Sequence, residues 1–279
     1  MEILQKISIE TLKIVLLVFT MMVLVDLINV WTRGKIRVFI GEKKKYRQYF
    51  VASFIGSLPG CLGSFTNVSL YIHGLISFGA LAGAMAAASG DEAFVMLAMF
   101  PKTALILIAI LLLLGIFMGW IIDKTVKKLN IKTCSDCENQ QYHPDEKGIV
   151  HYITEHIWGH IVKKHLWKTA LWTFGALLVV EIGLHYFNLK SFSHNYPVLL
   201  LIIAAFMGLI PESGPHMIFV TMFACGLVPF SVLFTSAFVQ DGHGMLPMLS
   251  YSVKDSVLIK IFNLVFGTGI GLIIYLIGF

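Results

Sequence analysis

The sequence predicts an all-α polytopic membrane protein built from two inverted repeats of five membrane segments each. The chain is 57% hydrophobic and only 13% charged, with a mean hydropathy of +0.81. A soluble domain of this length carries about a quarter charged residues. The chain also matches itself at an offset of 152 residues. These two observations predict the fold class, and the segments can be justified in order.

The internal match indicates a duplication, because the residues that coincide include helix-breaking types. Eight positions are identical between residues 56–90 and their counterparts 152 residues later, without a gap. An odd number of segments in each repeat turns the second repeat upside down, and inverted repeats are typical of secondary transporters. The coinciding glycines and prolines include Gly56 with Gly208, Pro59 with Pro211, Gly115 with Gly267, and Gly119 with Gly271.

Ten apolar segments follow from the hydropathy and from the glycines and prolines that divide it. The first, residues 11–31, is too long for the core of a signal peptide and is therefore predicted to span. The repeats cover residues 7–125 and 161–279, joined by a linker at 126–160. Their segments lie at 11–31, 48–59, 61–73, 75–89 and 102–122, and at 168–187, 196–210, 214–227, 229–241 and 256–277.

The basic residues predict the orientation in an inner, or cell, membrane. Of the 21 Lys and Arg residues, seven lie in Arg33–Arg47 and eight in Lys124–Lys168. Loops rich in Lys and Arg face the cytoplasm. Both termini are therefore expected outside and the central linker inside. An anionic-lipid or regulatory site in Arg33–Arg47 is the alternative interpretation.

Two short segments, "GSLPGCLGS" and "GLIPESGPH", occupy equivalent places in the repeats. Pro and Gly there predict broken or re-entrant helices that meet near the midplane, where secondary transporters bind their substrates. Further polar residues follow in "QDGHG" and in its counterpart "ASGDE". Carboxylates with imidazoles suit Mn²⁺, Fe²⁺, Co²⁺ or Zn²⁺. The candidate ion-binding residues are Glu212, Ser213, His216, Asp241, His243, Asp91, Glu92 and Cys61, the last a ligand suited to a thiophilic ion.

These polar groups also have a purely structural interpretation, in which they cap the broken helices. A similar choice applies to Asp26 and Glu181, which pair when the early loop is allowed a three-residue change. Ionisable residues at membrane depth are functional candidates, so proton coupling is one hypothesis and a helix–helix hydrogen bond the other.

The linker contains Cys134 and Cys137 in a CxxC pattern, followed by His156 and His160 four residues apart. Such donors bind zinc in many proteins. The spacing fits no standard finger, so a solvated linker with incidental donors is the alternative.

Five motifs carry a family resemblance: "PGCLGSF", "LYIHGLISFGAL", "SGDEAFVMLAMFPK", "PESGPH" and "QDGHGMLP". Together they resemble the ten-helix heavy-metal exporters, which are labelled arsenic-efflux proteins or manganese transporters. The resemblance covers nearly the whole chain and implies export of a metal or metalloid.

The sequence therefore predicts a secondary-active exporter of a Mn²⁺-like divalent cation that exchanges protons across the bilayer. Efflux of arsenite or an organoarsenical is the alternative. We expect no enzyme, no cofactor beyond the transported metal ion, and no nucleic-acid partner. "EHIWGH" is not the HExxH of metalloproteases, and no ATP-binding GxxxxGK[ST] motif is present. The spacing of Gly115 with Gly119 and of Gly267 with Gly271 permits close helix packing within the chain or in a homo-oligomer.

Overall fold

The computed structural model is helical, and it contains no strand among the residues it describes. Those residues are 45–60, 62–72, 74–131, 133, 167–186, 189–211, 214–241 and 244–279, with short stretches between 4 and 23. In the first repeat the helices are α1 Lys45–Ser57, α2 Leu62–Ile72, α3 Phe78–Ala87, α4 Glu92–Met99 and α5 Pro101–Lys128. In the second repeat they are α6 Trp167–Tyr186, α7 Leu189–Asn195, α8 Pro197–Met207, α9 Met217–Ala224, α10 Phe230–Val239, α11 Met245–Tyr251 and α12 Val253–Ile277.

Three helical stretches among the described residues are long and apolar enough to cross a membrane. They are Phe78–Met99, Pro101–Lys128 and Val253–Ile277. Pro101 begins α5, where its missing N–H removes no helical hydrogen bond, and Lys127 and Lys128 lie at the negative end of the helix dipole. At 1.5 Å per residue, the 28 residues of α5 extend farther than the hydrocarbon core of a bilayer, which is roughly 30 Å thick. The chain is a multi-pass membrane protein.

The short helices show how two of the predicted segments are built. Helices α1 and α2 have 13 and 11 residues, so each extends less than about 20 Å and cannot cross alone. The Asn67 amide donates to the Ala52 carbonyl at 2.9 Å, and Gly63 lies against the Ile55 backbone, so the two helices form an antiparallel hairpin. The predicted segments 48–59 and 61–73 are therefore the arms of one hairpin. The predicted segment 75–89 ends at an interruption, after which α4 continues.

The helix bounds repeat at the offset found in the sequence. Helices α1, α3 and α5 begin at Lys45, Phe78 and Pro101, and α8, α10 and α12 begin 152 residues later. The ends of α2, α3 and α4 likewise precede those of α9, α10 and α11 by 152 residues. Gly74 and Gly226, which follow α2 and α9, share a left-handed conformation with φ of 66° and 67°.

Glycines bring neighbouring helices into close contact within each repeat. A Cβ at Gly83 in α3 would lie 2.1 Å from the Gly115 carbonyl oxygen of α5. In the second repeat a Cβ at Gly271 would lie 1.9 Å from the Thr235 hydroxyl of α10. The GxxxG-like spacing noted in the sequence is thus used for packing inside one chain.

Candidate functional site

Four interruptions in the helices lie close to one another. They are the turn between α1 and α2, the turn between α8 and α9, and the breaks between α3 and α4 and between α10 and α11. The Gly60 N–H donates to the Gly90 carbonyl at 3.1 Å, joining the first turn to the first break. The Gln240 amide donates to the Ala88 carbonyl at 3.4 Å, joining the two breaks. Ala88 and Gln240 are counterparts at the 152-residue offset.

Glu92 begins α4 and is buried, with only 1% of its surface exposed. Its Oε1 accepts a hydrogen bond from Gln240 Nε2 at 3.0 Å, a contact between the repeats. Its Oε2 is buried and has no hydrogen-bond partner among the described residues. A buried carboxylate oxygen without a partner is costly, so it is available to a ligand.

His216 is fully buried directly before α9. Its Nδ1 lies 2.9 Å from the Ser236 hydroxyl of α10. Its Nε2 is buried without a partner in the described part of the chain. If Nδ1–H donates to the Ser236 oxygen, Nε2 keeps the lone pair that a metal ion requires.

Glu92 and His216 lie at the first ends of two helices that contact each other. Helices α4 and α9 pack against each other, and each has eight residues. At their far ends the rings of Phe100 and Phe223 meet with centroids 5.0 Å apart. Both helices therefore begin about 12 Å from that contact. One begins with a carboxylate and the other with an imidazole.

Asp241 is buried at the break between α10 and α11, and its carboxylate already has partners. Oδ1 accepts a hydrogen bond from the Asn263 amide, and Oδ2 forms an ion pair with the Lys260 ammonium. Lys260 also donates to the Gly208 carbonyl at 2.8 Å. Sequence reasoning missed Lys260 and Asn263. The available signal was a basic residue and an amide three positions apart, hence on one face of an apolar helix.

The structure describes only some of the other predicted residues. Asp91 is buried directly before α4. Glu181 lies in α6, but its side chain is outside the described part. Among the described residues, no group of three or more His, Cys, Asp or Glu side chains is arranged to hold a metal ion. Also outside the described residues are Cys61, Glu212, Ser213, His243, Asp26, Cys134, Cys137, His156 and His160.

Comparison with known proteins adds one finding. Residues 11–175 and 149–277 match the protein family described as "Putative, 10TM heavy-metal exporter". The two matches together cover nearly the whole chain. The chain has no significant match among curated proteins or solved structures.

Proposed function

The chain belongs to this family of heavy-metal exporters, and on that premise we propose that it exports a Mn²⁺-like divalent cation in exchange for protons. Such exchange is secondary transport, which draws its energy from an ion gradient. The family consists of transporters, and the proposal adds the ion and its coupling.

The observation that carries the proposal is the pair of open ligand atoms at the junction of the repeats. Glu92 Oε2 and His216 Nε2 are both buried and both lack a partner among the described residues. A carboxylate oxygen with an imidazole nitrogen is a donor set for Mn²⁺, Fe²⁺, Co²⁺ and Zn²⁺. A bound cation would satisfy both atoms. Glu212 and His243, predicted from the sequence, are the further ligands we propose.

We infer that the second repeat is inverted relative to the first. Asp123, near the end of α5, accepts a hydrogen bond from Ser77, which precedes α3. The Tyr71 ring contacts Phe78, and the Tyr71 hydroxyl donates to Asp255, near the start of α12, at 2.7 Å. Helix α5 therefore ends on the side where its counterpart α12 begins. This antiparallel pairing supports an inverted arrangement.

The inversion implies where the site lies in the membrane. Contact between Ala88 and its own counterpart Gln240 is expected on the axis that relates two inverted repeats. That axis lies in the membrane plane, so Glu92 and His216 are proposed to lie near the midplane. Lys124, Lys127 and Lys128 at the end of α5 favour the cytoplasm for that side of an inner membrane. Both termini would then lie outside.

One observation favours the alternative cargo, an arsenite or organoarsenical species. Helices α4 and α9 begin together at the proposed site, and the positive ends of their dipoles suit an anion. Cargo identity therefore has to be decided by flux. Purified protein in liposomes with an imposed pH gradient would be offered divalent metals, arsenite and an organoarsenical in separate assays.

Two substitutions test the site itself. Glu92→Gln keeps an acceptor for Gln240 but removes the charge, and His216→Asn keeps a polar group near Ser236 but removes Nε2. Each is expected to lower apparent metal affinity by roughly tenfold or more, since changes to ligand surroundings alone cost 10–100-fold. Thr221→Ala, a buried change one turn along α9 from the His216 end, is the matched control and is expected to transport normally.

The outcomes separate the alternatives. Normal metal flux in both Glu92→Gln and His216→Asn would reject these ligands. Flux of an arsenical without flux of any divalent metal would replace the proposed cargo with the alternative one. Metal flux that does not depend on the pH gradient would reject proton exchange.

A further inference from the structure

A second buried cluster, next to the Glu92 and His216 pair, surrounds the Lys260 side chain. Lys260 lies on α12, and its side chain is only 13% exposed. Its ammonium contacts the Asp241 carboxylate and donates to the Gly208 carbonyl at 2.8 Å. Asn263, one turn along α12, donates to the other oxygen of Asp241. The cluster joins α12 to the turn after α8 and to the break after α10.

The oxygens around this ammonium are the kind that bind hard cations. They are a carboxylate oxygen of Asp241 and a main-chain oxygen released where α8 ends. Carboxylates, main-chain carbonyls and amide oxygens are common ligands of such ions. The Asn263 amide donates to Asp241 Oδ1 and so orients the carboxylate whose other oxygen contacts the ammonium.

Gly208 is required for this geometry. A Cβ at Gly208 would lie 2.6 Å from the Val239 side chain, so only glycine lets the turn approach the end of α10 this closely. The carbonyl oxygen of Gly208 then reaches the ammonium. The backbone of the turn is therefore adapted to this cluster rather than merely adjacent to it.

The cluster exists in only one repeat. At the 152-residue offset, Asp241 corresponds to Ser89, Lys260 to Ile108 and Asn263 to Leu111. At these three positions the first repeat thus has neither a negative charge nor an ammonium. A buried carboxylate without a compensating charge is strongly unfavourable, which explains why the two charges occur together.

We propose that the Asp241 carboxylate, which Asn263 orients, and the Gly208 carbonyl form a monovalent-cation site that the chain fills with its own Lys260 ammonium. The ammonium acts as a tethered cation that holds the turn after α8 and the break after α10 against α12. The protein consequently needs no free Na⁺ or K⁺ at this position. Removal of the ammonium should convert the cluster into a site for a free small cation.

The test compares two Lys260 variants that differ in the space they leave. Lys260→Met keeps most of the side-chain volume and vacates the ammonium position, which suits Na⁺ or Li⁺. Lys260→Ala also removes the stem and leaves room for ethylammonium or propylammonium. Apparent thermal stability of the purified protein would be measured in each salt at constant ionic strength, with choline chloride as the reference because choline is too large.

The expected result is a saturable, cation-specific gain in apparent Tm. Na⁺ or Li⁺ should stabilise Lys260→Met, alkylammonium ions should best stabilise Lys260→Ala, and the wild-type protein should respond to neither. The double variant Asp241→Asn/Lys260→Met should fold better than Lys260→Met in choline and should not respond to Na⁺. These measurements do not involve the transported ion, so their outcome does not depend on the proposed export.

Equal stability of folded Lys260→Met in Na⁺, Li⁺ and choline would overturn the proposal. Recovery of folded Lys260→Met only from Na⁺ or Li⁺ buffers would support it. Failure to recover either single variant in any salt would also overturn it, whether or not the double variant folds, because the site would then accept no free cation.

Discussion

Replacement of Gly83 by alanine is expected to force α3 and α5 apart. The new Cβ would lie 2.1 Å from the Gly115 carbonyl oxygen and 3.1 Å from the Gly119 nitrogen. Both neighbours are main-chain atoms, so no side chain can rotate away. Relief to an ordinary contact near 3.4 Å requires the helices to separate by more than about 1 Å.

The loss of stability caused by Gly83→Ala is estimated by comparison with Gly269→Ala in α12. A Cβ at Gly269 would meet nothing within 4 Å. Both replacements gain similar helix propensity, so the difference between them isolates the overpacking term, which is about 1–3 kcal/mol. At roughly 2–4 °C per kcal/mol, Gly83→Ala should melt about 2–12 °C below Gly269→Ala.

The assay is thermal unfolding of both purified variants in one detergent at one scan rate, because membrane proteins often unfold irreversibly. Metal flux in liposomes should also fall for Gly83→Ala, since α3 ends at the break that precedes Glu92. Equal melting of the two variants, or higher stability of Gly83→Ala, would refute the close packing of α3 on α5.

Two further predictions concern the side on which α5 ends. Tyr71→Phe removes a donor to the buried Asp255 carboxylate and should destabilise the protein by about 1–3 kcal/mol in the same melting assay. The control Tyr275→Phe should not have this effect, and equal melting of the two variants would contradict a structural role for the Tyr71–Asp255 contact. Cysteines introduced at Lys44 and Gln141 should react with an impermeant maleimide only from the cytoplasm, and opposite sidedness would contradict the inverted arrangement.

Local properties of the chain were sufficient to predict much of the fold. Hydropathy predicted an all-α membrane protein, and the described residues form helices, with three helical stretches long enough to cross. Glycines and prolines at the 152-residue offset anticipated where helices begin and end, as Gly74 and Gly226, which follow α2 and α9, illustrate. Breaks in helices depend on residue types at the break itself, so they are visible in the sequence.

The length of a segment alone did not reveal which short segments pair. The apolar runs at 48–59 and 61–73 look alike, yet only the tertiary contact of Asn67 with the Ala52 carbonyl identifies them as arms of one hairpin. The glycine spacing at Gly115 and Gly119 was likewise compatible with contact inside or between chains, and the structure supplies the partners within α3.

The candidate site was likewise predicted only in part from the sequence. Sequence reasoning selected Asp91, Glu92, His216 and Asp241, and the structure buries all four. It could not foresee that Asp241 is held by Lys260 and Asn263, because the counterparts of those residues in the first repeat are apolar and the internal comparison gave no signal. Residue type and spacing predict which side chains are costly to bury. Only the packing of helices distant along the chain decides which partner offsets that cost, since such contacts arise from tertiary geometry rather than from local sequence.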